Sequence, residues 1–188
     1  MRVVAGRWRG RKLMPPPADA IRPTADRVKE ALFSILGERV RGAVFVDLCC
    51  GTGALGIEAL SRGASRAVFV DEANESLALA GANLAQCGAE AGSFGLERAE
   101  AVAWLDRWRP GTGTPWLLVA DPPYRAGLAA HIMGKLAARL DDPGCRALVV
   151  EQGSVEAPPL PEGSPWRLRR YGQSTLALWF PAVDSIDT

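Results

Sequence analysis

The chain has 188 residues, 48% of them hydrophobic, which is enough apolar material for one buried core of ordinary size with a short appendage. Its net charge of +1 hides a division: residues 1–41 hold ten Lys+Arg against four Asp+Glu, a charge of +6, and the remainder holds twelve against seventeen, a charge of −5. No uncharged stretch approaches the roughly 20 residues a membrane helix needs, and the apolar start is too short for a secretory signal, so a cytoplasmic protein without membrane contact is expected. The four cysteines, Cys49, Cys50, Cys87 and Cys145, form no CxxC pair and accompany a lone His131, so neither a metal site nor a disulfide framework is signalled.

In chain order, RVVAGRWRGRKL (2–13) reads as a short basic extended segment, followed by the loop MPPPADA. Thr24 is placed to cap a helix running to about Leu36, with Pro23 before it, Asp26 in its first turn and Gly37 ending it. Four short apolar runs follow: AVFVDL (43–48), AVFVDE (67–72), WLLVAD (116–121) and ALVVEQ (147–152). Between them lie ALGIEALSRG, EANESLALAGANLAQCG, EAVAWLDRW and RAGLAAHIMGKLAARL, whose apolar residues recur at three and four. This alternation predicts βαβ units, a parallel sheet and helices on both faces. At the end, WRLRRY and TLALWF alternate with a period of two about Gly172, Gln173 and Ser174, which predicts an antiparallel hairpin closing the sheet. One domain, residues 1–188, is expected, with residues 1–23 as a basic extension.

Gly51, Gly53 and Gly56 form GxGxxG directly after the first predicted strand and open the next helix. Glycines there allow a tight turn and close approach to a ligand, and the helix start offers unpaired amides. Asp71 stands twenty positions after Gly51, at the end of the next strand, where a carboxylate can accept both ribose hydroxyls of an adenosine-containing cofactor. Asp47, near the end of the first strand, would repel a pyrophosphate but suits a cationic, phosphate-free ligand such as S-adenosylmethionine. Glu100, at the edge of the third strand, is placed to receive the adenine amino group.

ADPPY (120–124) then leaves the strand WLLVA through an acid, two prolines and an aromatic. Each proline fixes its own φ and drives the preceding residue to extended geometry, so Asp121 and Pro122 are both held extended in a stiff loop. That loop presents the Asp121 carboxylate, the Pro122 carbonyl and the Tyr124 ring at the carboxyl end of a central strand, where ligands of open α/β sheets bind. Two fixed acceptors suit the two N–H bonds of an exocyclic nucleobase amine, and Tyr124 can stack on an extruded base.

The series DLCCGTGALG, VFVDEA and DPPY resembles the class I S-adenosylmethionine-dependent amino-methyltransferases. With GRWRGRKL, RPTADRVKEALFSIL, GALGIEALSRGA and YGQSTLALW, the chain from about Val3 to Trp179 is similar to the RsmD-type enzymes, which methylate guanine N2 in bacterial 16S ribosomal RNA. The resemblance implies a Rossmann-like α/β fold with a mostly parallel seven-stranded sheet and an antiparallel C-terminal hairpin. It implies cofactor contacts from Asp47, Cys50, Gly51, Gly53, Asp71 and Glu100, and catalysis by Asp121, Pro122 and Tyr124. The expected substrate is 16S rRNA, more specifically an assembled small ribosomal subunit, met by a monomer that needs no metal. Arg7, Arg9, Arg11 and Lys12, with Arg22 and Arg27, would neutralise RNA phosphates. Trp8 would either stack on an unpaired base or cover the sheet edge. The same chemistry would serve an N6-adenine methyltransferase; a nicotinamide-dependent oxidoreductase and an RNA-binding protein with a relic pocket are the alternatives of other classes.

Overall fold

The computed structural model describes residues 1–16, 25–123, 127–154, 160 and 162–182. The element order is α1 (Ala25–Leu36), β1 (Val44–Leu48), α2 (Ala54–Ser61), β2 (Arg66–Asp71), α3 (Asn74–Cys87), β3 (Phe94–Arg98), α4 (Ala101–Arg107), β4 (Trp116–Ala120), α5 (Leu128–Ala137), β5 (Cys145–Gly153), β6 (Arg167–Tyr171) and β7 (Ser174–Trp179). The seven strands form one sheet in the order β3-β2-β1-β4-β5-β7-β6. Pairing is parallel from β3 through β5 and antiparallel for β5 with β7 and for β7 with β6. The expected sheet, with its closing hairpin, is therefore present.

The reason lies in the pleat. Alternate residues of the central strands enter two separate cores. Phe45, Ala67, Phe69, Leu117 and Val119 pack with α1, α2 and α3 on one face. Val46, Leu48, Val68, Val70, Leu118 and Ala120 pack with α4 and α5 on the other. Being covered on both faces, β1, β2 and β4 read as unbroken apolar runs rather than alternating ones. Helix ends follow their glycines. Gly88, at φ 69°, closes α3 with bonds from its N–H to Ala85 O (2.9 Å) and from Ala89 N–H to Leu84 O (3.0 Å), the pair that defines a Schellman motif. In the hairpin, Tyr171 pairs with Ser174, so the loop is only Gly172-Gln173, with Gly172 at φ 58°. Ser174 belongs to the strand.

One expectation needs correction: the N-terminal segment is folded back on itself rather than extended. Arg2 bridges Lys12 in antiparallel fashion, Val3 N–H donates to Arg11 O (2.9 Å), and the chain turns through Gly6 (φ 81°) and Gly10 (φ 84°). Val3, Trp8 and Leu13 are buried in the α1–α3 core and anchor the loop. Apolar residues spaced along a polar segment drive that closure, because only a bent chain can bury all three. Of the two roles open to Trp8, burial favours the hydrophobic cover: it is 6% exposed, with the Arg7 guanidinium 4.1 Å from its ring. Thr24, Pro23, Arg22 and Tyr124 lie outside the described residues.

Candidate active site

The chain order places β1 between β2, its sequential neighbour, and β4, reached by crossing back over the sheet. Between β1 and β4 lies the topological switch point where open α/β sheets bind ligands beyond the strands' carboxyl ends. Asp47 pairs in register with Phe69 of β2 and Val119 of β4, and Asp71 and Asp121 stand two residues further along those strands. By the period-two rule all three carboxylates belong to the α2 face. Strand order and register thus converge three acids at one place.

Asp47 is 1% exposed. Its Oδ2 accepts the Gly56 N–H (2.8 Å), one of the orphan amides of the first turn of α2, so the strand caps the helix from below. Its Oδ1 is buried with no hydrogen-bond partner among the described residues. Burial pushes its pKa from 3.8 up to about 8, the Gly56 N–H pulls it down, and Asp121 and Asp71 push it up further. Asp71 organises the loop: Oδ2 accepts Gly51 N–H (3.0 Å) and Oδ1 accepts Ala73 N–H (2.9 Å).

The three glycines are required for different reasons. A Cβ at Gly56 would overlap the Phe69 ring, and one at Gly53 would come within 2.9 Å of the Ala80 Cβ, so both are packing requirements. At Gly51, φ 51°, a Cβ would meet nothing within 4 Å. Only there does the missing side chain leave open space. Cys49, at φ 62°, is the sole described non-glycine residue at positive φ, in a region that strongly favours glycine. Burial pushes its thiol up to about 12, with Asp71, Asp121 and Asp47 adding to the effect. Cys50 is buried, its thiol also shifted up, mainly by loss of hydration, and its N–H donates to Val70 O (3.0 Å). Both cysteines here are small neutral fillers rather than nucleophiles.

At the end of β4, Asp121 N–H donates to Leu48 O (3.1 Å), which ties the DPP turn to β1; Pro122 is buried and Pro123 exposed. Glu100 proves to be the N-cap of α4, its two oxygens accepting Val102 N–H (2.9 Å) and Ala103 N–H (2.7 Å). A residue two positions beyond an edge strand is well placed to cap the next helix, and that role was not foreseen. His131 is exposed on α5.

The basic loop docks on α2 and α3 through buried polar groups that no local pattern announced. Glu58, 0% exposed, accepts Val4 N–H (2.7 Å) and Ala5 N–H (2.9 Å) and pairs with Arg62 (2.8 Å) and Lys29 (3.9 Å). Ser61 accepts Trp8 N–H at its Oγ (3.0 Å) and Arg7 N–H at its carbonyl (2.8 Å). Gly6 lies so close to the Ser61 carbonyl that a Cβ would overlap it, which makes this glycine the one sequence signal of the contact. Arg7, Arg9, Arg11, Lys12 and Arg27 remain at the surface. An open groove of about 410 Å³, bordered by Arg7, Arg41 and Arg62, lies at the far end of α2 from the carboxylates. Among the described residues no group of three His, Cys, Asp or Glu is arranged to hold a metal ion, and no helix is long and apolar enough to cross a membrane.

Residues 1–180 match the family described as Conserved hypothetical protein 95. Ribosomal RNA small subunit methyltransferase D of Escherichia coli K12 is 35% identical over 176 residues, covering 90% of this chain and 83% of that protein. The solved Escherichia coli structure described as "Putative methyltransferase yhhF" superimposes with a TM-score of 0.73 at 33% identity, covering 96% of this chain and 97% of that one. A Thermus thermophilus structure described as a hypothetical protein gives 0.75 at 27%, over 96% and 99%. Strand order, glycine loop and DPP turn together with these matches make the fold a Rossmann-like methyltransferase fold, and the chain belongs to the Conserved hypothetical protein 95 family, the RsmD-type methyltransferases.

Proposed function

We propose that the protein transfers a methyl group from S-adenosylmethionine to the N2 amino group of a guanine in 16S ribosomal RNA, presented by an assembled small subunit in the cytoplasm. The observation that carries the cofactor assignment is the Asp47 carboxylate, buried, with one oxygen unpartnered among the described residues and two further carboxylates on the same face. Such a site favours a cation and opposes a pyrophosphate, which weighs against the nicotinamide alternative. The open space at Gly51 gives a ligand room to lie against the loop backbone. The RNA assignment rests on what the curated relative is named for.

Asp47 would face the positive end of the cofactor, Asp71 the ribose, and the Gly51 backbone the chain between them, while Cys50 fills the wall. Glu100 keeps one lone pair on each oxygen beyond its capping bonds, sufficient for an adenine amine. Bound there, S-adenosylmethionine supplies an electrophilic methyl on a sulfonium. Asp121 and the Pro122 carbonyl accept the two N–H bonds of the guanine amine and orient its lone pair, Tyr124 stacks on the extruded base, and Asp121 takes the departing proton. Arg7, Arg9, Arg11, Lys12, Arg22 and Arg27 meet phosphates; Trp8 supports them from within the core.

The test is methyl transfer from labelled S-adenosylmethionine into small subunits lacking native modification, compared with naked 16S RNA and with DNA, followed by nucleoside mass spectrometry. N2-methylguanosine at one site is expected; N6-methyladenosine or label in DNA would replace the RNA guanine assignment. Asp121→Ala should remove turnover while sparing cofactor binding, and retained turnover would sink the role given to Asp121.

A further inference from the structure

Asn83 is 0% exposed on the inner side of α3, and the reaction as described makes no use of it. Its Oδ1 accepts the Met14 N–H (2.7 Å), and its Nδ2 donates to Met14 O (3.2 Å) and to Thr52 O (3.0 Å). Both amide protons are thereby spent. One carboxamide thus grips the end of the basic loop on both sides of a single residue and also holds the middle residue of the Gly51-Thr52-Gly53 turn.

The surrounding contacts follow the same division. One turn further along α3, Gln86 Nε2 donates to Lys12 O (2.9 Å) and Arg11 Nη1 donates to Gln86 O (2.9 Å), so two residues on one helix face hold residues 11–14. Met1, whose carbonyl accepts Leu13 N–H (3.1 Å), brings its sulfur 3.8 Å from Thr52 Oγ1. From the opposite side Gly51 N–H is held by Asp71. The glycine turn is therefore clamped between a carboxylate of the cofactor site and an amide that also holds the basic loop. With Gly51 and Gly53 both at positive φ, its carbonyl direction depends on those two clamps.

We propose that Asn83 is the positioning residue that links cofactor binding to RNA docking, so that filling either site tightens the other. The inference rests on the function proposed above. Linkage makes the effect reciprocal: whatever factor RNA applies to cofactor affinity, cofactor applies to RNA affinity. An Asp at this position would lose both donors and set a carboxylate against two carbonyl oxygens, so the role needs an amide.

The experiment measures the dissociation constant of S-adenosylhomocysteine, the unreactive product form of the cofactor, with and without saturating unmodified small subunits. In the unaltered protein the ratio is expected to be about fivefold or more. In Asn83→Ala it should fall to about twofold or less. Met14→Pro removes the N–H that Asn83 Oδ1 accepts, fixes φ at an exposed residue of the basic loop and leaves α3 intact, so it should also lower the ratio towards twofold even where Asn83→Ala folds poorly. A purely structural role would weaken both ligands alike and keep the wild-type ratio in both variants, which would overturn the proposal, as would a ratio near one in the unaltered protein. Failure of that protein to bind S-adenosylhomocysteine at all would overturn the proposed function and this inference with it; binding without coupling would remove this inference alone.

Discussion

Replacing Asp47 with Asn removes a buried carboxyl whose ionisation the folded chain opposes, and the size of that cost can be worked out. The carboxyl titrates near 3.8 in the unfolded chain and near 8 when folded, mainly because burial strips its hydration. At pH 7 the folded chain retains a proton that the unfolded chain has released, which costs folding roughly 4 kcal/mol relative to pH below 3.8. Because the folded value is the higher one, this group's contribution is largest below pH 3.8 and is lost as pH rises through about 8. Asn keeps an acceptor for the Gly56 N–H but leaves an unpaired donor in place of Oδ1, a penalty of roughly 1–3 kcal/mol. A net gain of about 1–3 kcal/mol at pH 7 follows, and each kcal/mol should raise Tm by roughly 2–4 °C in a chain of this size. Denaturant titrations at pH 5, 6, 7 and 8 should show stability falling more steeply in the wild type, by up to about 1.4 kcal/mol per pH unit. S-Adenosylmethionine affinity should rise towards pH 8 in the wild type and be at least about tenfold weaker in the variant, the equivalent of one lost charge contact. Equal pH slopes in the two proteins would refute the raised titration assigned to this buried carboxyl.

Gly56→Ala should destabilise by about 1–3 kcal/mol in thermal unfolding, since Phe69 has no room to yield, whereas Gly51→Ala should cost only about 1 kcal/mol for its positive φ yet lose more in cofactor titration. Glu58→Gln removes the buried anion that Lys29 and Arg62 share and should cost about 3–5 kcal/mol in denaturant unfolding. The same variant should expose Arg7, Arg9 and Arg11 to trypsin under conditions where the wild-type basic loop resists cleavage.

The central strands were legible because a parallel strand covered on both faces has no polar residue to spare, which also made Asp47 stand out within VFVDL. Edge strand β3 was harder to see: FGLER is half-buried at its start and exposed at its end, so it lacks an apolar run. The glycine loop and DPP turn could be read locally, since each derives its geometry from its own residues. How the basic loop folds could not. Its partners Glu58, Ser61 and Asn83 lie more than fifty residues away, and a buried polar side chain on a helix looks in sequence like any solvated one. The capping role of Glu100 has no comparable local signal, because the start of α4 is what engages its two oxygens.

Helix α2 has eight residues, a rise of roughly 12 Å, and both of its ends are committed. Near its start Gly56 meets Asp47 and the Phe69 ring; from its middle and its last residue Glu58 and Ser61 hold the N-terminal loop. The helix is therefore a ruler between the buried Asp47 carboxyl and the basic loop. One inserted residue would turn its far end by roughly 100° and leave one set of partners unmatched, so natural length variation in such chains should gather in the outer loops and spare this segment.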